Sequence, residues 1–319
     1  MCALAALALP LLADVEYVAA RARHVQVDHD ALNRFCASAD CADLASPHSE
    51  GRPLFFDGTY RTLHFLLLLR ALGFCLWDGE DVRNGAKPRD AEAGLGEALR
   101  RAFEQGTPLW SARYLARVSR LELACLLGGA REPQLMETRV AMLNQLGQRL
   151  LERYEGNLKC VIWAAGGSVP RLVGLLAEEF AAFRDVAAYA GREVQFAARA
   201  QALVEDIHQA FNGTRWGHFA GLDQLAGAAD HRLAQALRAL GALSLSPTLA
   251  SRVDGHVPLA PGGEEEVELR ACSLWAVHLA RRGLAERGCD VSSPALQRWL
   301  SRRVRPNAPA AHRAVTTAY

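Results

Sequence analysis

The sequence of 319 residues has neither an excess of charge of one sign nor a long apolar segment. Its 36 basic and 35 acidic residues leave a net charge of +1, whereas proteins that neutralise nucleic-acid phosphates need a local excess of lysine and arginine. The apolar run over 63–76 contains His64 and Arg70, and it is shorter than the roughly 20 residues that cross a bilayer. We therefore expect no nucleic-acid partner and no membrane partner.

Cysteine clusters and the common catalytic motifs are also missing. The eight cysteines include no C-x-x-C pair and no Cys/His cluster, so neither a zinc site nor a disulfide framework is predicted, and we expect reduced, mostly buried thiols. A glycine-rich phosphate loop, a G-x-S-x-G elbow and an H-E-x-x-H motif are missing too. This excludes the signatures of P-loop nucleoside triphosphatases, serine hydrolases and zincins. We predict no metal and no cofactor.

The start of the sequence is the one segment that is similar to a targeting signal. Residues 2–12 are apolar, but no lysine or arginine precedes them and they contain Pro10, which argues against a secretory signal. We treat residues 1–12 as an N-terminal extension and residues 13–319 as one domain. We expect a cytoplasmic protein.

Helical periodicity is the main pattern that the sequence does contain. Alanine, leucine, arginine and glutamate dominate, and apolar residues recur at spacings of three and four, which predicts a mainly α fold in a single compact domain. The individual expectations are a helix over 14–23, an extended stretch over 25–28, a helix from His29, an apolar helix capped by Thr59, a loop over 79–96, a helix from about Pro108, and a helix with glutamates at 264–266 in its first turn.

Two predicted helices carry carboxylates beside their apolar stripes. In the helix over 196–211, Asp206 flanks the stripe on nearly the same strip as Arg199, as an ordinary surface charge would. In the helix over 223–243, Asp230 lies at the edge of the buried face or inside it. Because an ionised carboxylate is costly to bury alone, Asp230 either forms a structural ion pair with a buried arginine or faces a ligand pocket.

Several ordered motifs, spread over nearly the whole chain, carry a family resemblance. They are FRDV at 183–186, RAQ at 199–201, ADHRL at 229–233, LGAL at 240–243 and EVELRACSLWAV at 266–277. The chain resembles the queuosine salvage protein family, whose members are queuosine 5′-phosphate N-glycosylases. The resemblance implies a helical fold similar to helix-hairpin-helix DNA glycosylases. It also implies hydrolysis of a small-molecule nucleotide, which releases queuine for reinsertion into tRNA.

The resemblance also implies a set of site residues. Asp230 matches the catalytic aspartate of the family, and a carboxylate suits an oxocarbenium-like transition state because a fixed anion stabilises its positive charge. Arg199 and Arg232 are candidate phosphate ligands, although either could instead pair with Asp206 or Asp230. Phe55 could stack on the base or fill the core. The implied substrate-binding residues are Phe55, Ala228, Ala229, Gln297, Arg298, Arg302, Arg199, Arg232 and Asp206.

The sequence departs from the family pattern at positions that are expected to contact the nucleotide. Ala198 stands where the family has a lysine, Ala228 where it has a phenylalanine, and Gln297 near the place of an aspartate. Arg70 replaces an acidic residue. The alternative function is therefore that of an altered or inactive member that binds a different purine-like nucleotide.

Overall fold

Helices make up most of the computed structural model, which describes residues 8–45, 53–77, 91–128, 133–305 and 307–319. In these ranges the helices are α1 (Ala8–Ala19), α2 (His29–Ser38), α3 (Cys41–Ala45), α4 (Tyr60–Leu72), α5 (Ala91–Glu104), α6 (Ala112–Leu115), α7 (Arg120–Leu127), α8 (Met136–Arg153), α9 (Leu158–Ala164), α10 (Val169–Glu179), α11 (Ala198–Ala210), α12 (His231–Ala239), α13 (Pro247–Asp254), α14 (Glu264–Ala285) and α15 (Ser293–Arg302). The prediction of a mainly α domain is confirmed.

Polar side chains fix the starts of several helices. Asp28 caps α2 by accepting a hydrogen bond from the backbone N–H of Ala31 at 2.7 Å, and Thr59 caps α4 by accepting one from Arg61 at 3.1 Å. The acidic first turn predicted for α14 is also present, beginning at Glu264. At these three places the local sequence determines where the helix begins.

Two small antiparallel sheets complete the fold. Strand β1 (Val25–Val27) pairs with β4 (Leu243–Leu245), which confirms the extended stretch predicted after α1. Strand β2 (Val186–Tyr189) forms a hairpin with β3 (Arg192–Gln195), which leads into α11. The first sheet joins the N-terminal helices to the segment that follows α12, and the second places the start of α11 beside Asp185.

Helices α4 and α14 lie at the centre of the hydrophobic core. In α4 the residues from Thr62 to Leu68 are all buried. Helix α14 packs against α1, α2, α12, α15 and β1, and its buried residues include Glu266, Glu268 and Arg270. No helix in the described ranges combines the length and the apolar character that a bilayer crossing requires.

The structure corrects several expectations about helix boundaries. The first helix begins at Ala8 rather than Asp14 and ends at Ala19, and the helix expected from Pro108 begins at Ala112. Helix α5 already begins at Ala91, within the loop expected over 79–96, while residues 78–90 lie outside the described residues. The helix expected over 223–243 begins only at His231, because a short 3-10 turn over Leu222–Gln224 is followed by a non-helical loop over 225–230.

One pair of cysteines corrects the expectation of reduced thiols. Cys41, at the start of α3, forms a disulfide with Cys289, in the segment before α15, and their Cα atoms are 5.3 Å apart. The two cysteines are 248 positions apart in the chain, and only the fold brings them together. The bond ties α3 to the segment that leads into α15.

Candidate functional site

Asp230 lies at the N-terminus of α12 and not inside a helix. Its backbone is extended (φ −110°, ψ 176°), and its Oδ1 atom accepts a hydrogen bond from the backbone N–H of Leu233 at 2.9 Å. Asp230 is therefore the N-cap of α12. In the described part of the chain its half-buried carboxylate forms no salt bridge, so the ion-pair alternative finds no support there.

Two glutamine side chains hold the segment that leads to Asp230, here called the Asp230 loop (residues 225–230). From α11, Gln201 Oε1 accepts hydrogen bonds from the backbone N–H groups of Ala226 (2.8 Å) and Gly227 (3.1 Å). From α15, Gln297 Oε1 accepts from Ala228 N (2.9 Å), and its Nε2 atom donates to the carbonyl of Ala226 (2.9 Å). Both glutamines are buried, so these hydrogen bonds satisfy backbone groups that lie away from water.

Gly227 is required at the centre of this loop. Its φ is +94°, in the region that favours glycine, and a Cβ atom built on it would lie 2.1–2.4 Å from the amide atoms of Gln297. Any side chain at this position would displace Gln297. The loop and the side chain from α15 therefore fit together only because residue 227 is glycine.

A buried arginine supports the Asp230 loop from below. Arg270 of α14 is 2% exposed, and its Nε atom donates to the carbonyl of Ala229 at 3.3 Å. One guanidinium nitrogen lies 2.6 Å from Asp185 Oδ2, and Nε lies 3.7 Å from Glu266 Oε1. Burial raises the pKa of Glu266, although the charge of Arg270 opposes the shift. The peptide before Asp230 is thus held by a buried group of ionisable side chains.

A second charged cluster joins α4, α5, α11 and α15. Arg70 binds Asp206 with both a 2.5 Å and a 2.9 Å contact and also lies 2.8 Å from Glu92. Burial alone would lower the pKa of Arg70, but the attraction of Asp206 raises it. Next to Asp206, Glu205 pairs with Arg298, and burial raises the pKa of Glu205. The predicted residues Asp206 and Arg298 therefore lie in one network, and Arg298 follows Gln297 on α15.

Arg199 is turned toward backbone carbonyl groups. The side chain is buried, and its guanidinium donates to the carbonyls of Ala71 (2.9 Å) and Thr317 (2.5 Å). Burial lowers its pKa to about 10. Arg199 joins the end of α4 to the C-terminal segment and does not pair with Asp206.

Phe55, Arg232 and Arg302 are the remaining predicted site residues. Phe55 is half-buried, and its ring centroid is 4.9 Å from that of Phe103 and 5.7 Å from that of Phe65, so it lies in an aromatic cluster with α4 and α5. Arg232 is exposed in the first turn of α12, and Arg302 is exposed at the end of α15. Of the predicted residues, the structure brings Gln297 into contact with the loop that contains Ala228, Ala229 and Asp230. It also places Asp206 and Arg298 in one network, because Glu205, next to Asp206, pairs with Arg298.

Sequence reasoning did not assign a role to several residues that build this site. Gln201, Arg270 and Asp185 all occur within the family motifs, and that position is the signal that could have identified them. His231 follows Asp230, and its ring centroid is 6.4 Å from that of Tyr319. Burial lowers the pKa of His231, and Asp230 opposes the shift.

One group of potential metal ligands occurs among the described residues. Ligand atoms of His24, Glu264 and Glu268 lie within 4.8 Å of one another. However, Glu264 binds Arg23, and the Glu268 carboxylate accepts hydrogen bonds from the backbone N–H groups of residues 23–25. These carboxylates already stabilise the turn before β1, and this structural role accounts for them.

Comparisons with known proteins agree with the motifs. The sequence profile of a family described as "Queuosine salvage protein" matches residues 55–311. A protein of Sphaerobacter thermophilus named queuosine 5′-phosphate N-glycosylase/hydrolase is 37% identical over 284 residues, which cover 88% of this chain and 87% of that protein. Proteins of the same name from Mus musculus and Bos taurus are 34% and 30% identical, each match covering 85% of this chain and 83% of the relative.

Proposed function

Because the chain belongs to the queuosine salvage protein family, we propose that it hydrolyses the N-glycosidic bond of queuosine 5′-phosphate with Asp230 as the catalytic carboxylate. One observation carries this assignment. Asp230 matches the aspartate of the family motif, and it lies at the end of a loop that Gln201, Gln297 and Arg270 hold in place. Such preorganisation is what electrostatic catalysis requires of a charged group.

The reaction needs a fixed negative charge near the anomeric carbon of the ribose. As the bond to the base breaks, positive charge develops on the sugar, and the Asp230 carboxylate stabilises it. A water molecule then adds its oxygen to that carbon. One of its protons stays on the new anomeric hydroxyl, and the other goes to the departing base. The products are queuine and ribose 5-phosphate. The substrate is a free nucleotide, so no base has to be unstacked from a duplex.

The N-cap position suits this task. The capping hydrogen bond from Leu233 goes to Oδ1 of Asp230, which leaves Oδ2 to face the substrate. The N-terminal end of α12 also carries a partial positive charge, which attracts a negatively charged side chain. Asp230 can therefore cap the helix and stabilise the transition state at the same time.

We assign the other site residues as follows. The backbone of Ala228 and Ala229 borders the base, and Phe55 supports the base from the aromatic cluster. A guanidinium from the start of α12 or from α15 binds the phosphate, with Arg232, Arg298 and Arg302 as candidates. Arg199 and Asp206 act through the elements they hold, because their side chains bind backbone carbonyls and Arg70, respectively.

The cellular setting follows from this function. The partner is a small-molecule nucleotide, and the balanced net charge of +1 supports the absence of a nucleic-acid partner. We place the protein in the cytoplasm, where the released base would be available for tRNA modification.

The test is Asp230→Asn with queuosine 5′-phosphate as substrate and release of queuine measured by chromatography. Asparagine is as good an N-cap as aspartate, so the variant removes the charge and keeps the helix. We expect kcat to fall by about 100-fold or more, as for loss of a main electrostatic stabiliser. Asp223→Asn, at an exposed position before the loop, is the matched control and should retain activity. Turnover that survives Asp230→Asn would exclude this mechanism.

A second candidate concerns the identity of the base. Gln297 lies near the place where the family has an aspartate. Both the oxygen and the nitrogen of its side-chain amide form hydrogen bonds with the backbone of the Asp230 loop. This favours a different purine-like nucleotide as the preferred ligand. A thermal-shift panel of nucleoside monophosphates measures the preference, because a ligand that binds only the folded state raises the melting temperature. A larger shift with queuosine 5′-phosphate than with the others would exclude it.

A further inference from the structure

Glu205 and Arg298 join the two helices whose glutamine side chains hold the Asp230 loop. Glu205 lies on α11 and Arg298 on α15, and the Arg298 guanidinium donates a hydrogen bond to Oε1 of Glu205. The side chains are 18% and 32% exposed, respectively. The ion pair therefore links α11 to α15 at a place where water and salt screen the two charges less than at the open surface.

The positions of the two residues in their helices place the ion pair next to both glutamines. Gln201 precedes Glu205 by four positions, so their side chains leave the same face of α11. Arg298 directly follows Gln297 on α15. Both glutamine side chains form hydrogen bonds with the backbone of the Asp230 loop. The separation of α11 and α15 therefore determines whether both amides reach the loop at once.

Further contacts fix Glu205 and the turn of α11 that carries it. Oε1 of Glu205 also accepts a hydrogen bond from Nε2 of Gln209, one turn further along the helix, at 3.0 Å. The next residue, Asp206, binds Arg70 of α4 with contacts of 2.5 Å and 2.9 Å. This turn of α11 is thus tied to a central helix of the core, and the contact with Arg298 ties α15 to it in turn.

We propose that the ion pair of Glu205 and Arg298 positions Asp230 for the reaction. It keeps α11 and α15 at the separation at which both glutamines bind the Asp230 loop. The inference rests on the proposed function, in which Asp230 is the catalytic carboxylate. It also assigns Arg298 to the support of the loop and removes it from the candidate phosphate ligands. Without the ion pair α15 shifts, one glutamine loses its hydrogen bonds to the loop, and Asp230 moves relative to the sugar.

Glu205→Gln tests this role because it removes the charge and keeps the length of the side chain. The matched control is Glu179→Gln. Glu179 of α10 is paired with Arg153 of α8 at 2.5 Å, and its side chain is 13% exposed. The control therefore removes an ion pair of similar burial between two helices that do not carry the glutamines.

Steady-state hydrolysis of queuosine 5′-phosphate is measured for both variants. We expect Glu205→Gln to lower kcat by about tenfold with KM changed by less than about twofold, the pattern for a loss that acts in the transition state. A misplacement of about 1 Å can cost about 100-fold, and the shift expected here is smaller. Glu179→Gln should match the wild type. Equal kcat values for the two variants overturn the inference.

Hydrogen–deuterium exchange measures the Asp230 loop independently of turnover. The backbone amides of Ala226, Gly227 and Ala228 donate to the two glutamines, so they are protected in the wild type. We expect peptides that contain residues 225–230 to exchange at least about fivefold faster in Glu205→Gln, because the loop opens more often, and at the wild-type rate in Glu179→Gln. Equal exchange in the two variants also overturns the inference.

Arg298→Gln separates positioning from phosphate binding. A positioning role predicts that it lowers kcat as Glu205→Gln does, and that the double variant is no worse than either, because the two residues act as one pair. A higher KM for Arg298→Gln with kcat unchanged identifies a phosphate ligand and overturns the inference. If Asp230→Asn abolishes turnover while Glu205→Gln changes neither turnover nor exchange, the proposed function stands and only this inference fails. If the wild-type protein releases no queuine, the proposed function fails, and the exchange rates still decide whether the ion pair holds the loop.

Discussion

The fit between Gly227 and Gln297 gives a prediction whose magnitude can be estimated from the structure. Gly227→Ala places a residue with a side chain at φ +94°, which costs about 1–3 kcal/mol. Its Cβ atom also overlaps the Gln297 amide, and such overpacking costs about 1–3 kcal/mol more. In a Gln297→Ala background the overlap is gone, and only the backbone cost remains. The two substitutions should therefore be coupled by about 1–3 kcal/mol.

Urea unfolding of the four proteins of this double-mutant cycle, followed by circular dichroism, measures the coupling. Gly241→Ala is the matched control, because Gly241 has φ +75° and a Cβ atom added there would meet no heavy atom within 4 Å. It should show the backbone cost alone, in both backgrounds. Equal costs of Gly227→Ala with and without Gln297 would refute the steric argument, as would a cost of Gly227→Ala no larger than that of Gly241→Ala.

Three further predictions concern stability. Burial lowers the pKa of His64 to about 4, so the free energy of unfolding should decrease below about pH 6.5, by up to about 1.4 kcal/mol per pH unit. In urea unfolding at pH 7.5 and pH 5.5, His64→Gln should lose less of this free energy between the two pH values than the wild type does. Equal losses would contradict the prediction. Arg270→Met leaves the carboxylates of Asp185 and Glu266 without their buried cation and should lower the free energy of unfolding by about 3–5 kcal/mol. Adding Asp185→Asn should restore part of this free energy, and no recovery would contradict the ion-pair role. Cys41→Ser should lower the free energy of unfolding by about 2–4 kcal/mol under oxidising conditions and abolish the effect of a dithiol reductant, whereas Cys125→Ser, at a free and exposed cysteine, should do neither.

Local signals in the sequence predict part of the fold well. The caps at Asp28 and Thr59, strand β1 and the acidic start of α14 were all predictable, because each depends on neighbouring residues alone. Asp230 was placed inside a helix because the apolar spacing of Leu225, Ala229 and Leu233 continues across the loop. The non-helical backbone there is held by Gln201 and Gln297, which come from distant helices. Periodicity cannot show such tertiary hydrogen bonds.

Only those residues of the candidate site that lie within the family motifs could be predicted from the sequence. The motif around Asp230 is the signal that predicts this residue and its neighbours Ala228 and Ala229 as site residues. The ion pair of Arg70 with Asp206 joins residues 136 positions apart, and the Cys41–Cys289 disulfide joins residues 248 apart, so spacing along the chain contains no sign of either. The same is true of Tyr319 beside Arg270.

The capping role of Asp230, together with the catalytic role proposed for it, restricts how a protein of this kind can lose activity and still fold. Serine, threonine and asparagine also cap helices well, so a gene copy released from selection for catalysis could exchange the aspartate for one of them at little cost in stability. Alanine or valine would weaken the start of α12 as well. Among duplicated genes, a neutral capping residue at this position would therefore indicate a copy whose protein still folds but no longer catalyses the reaction.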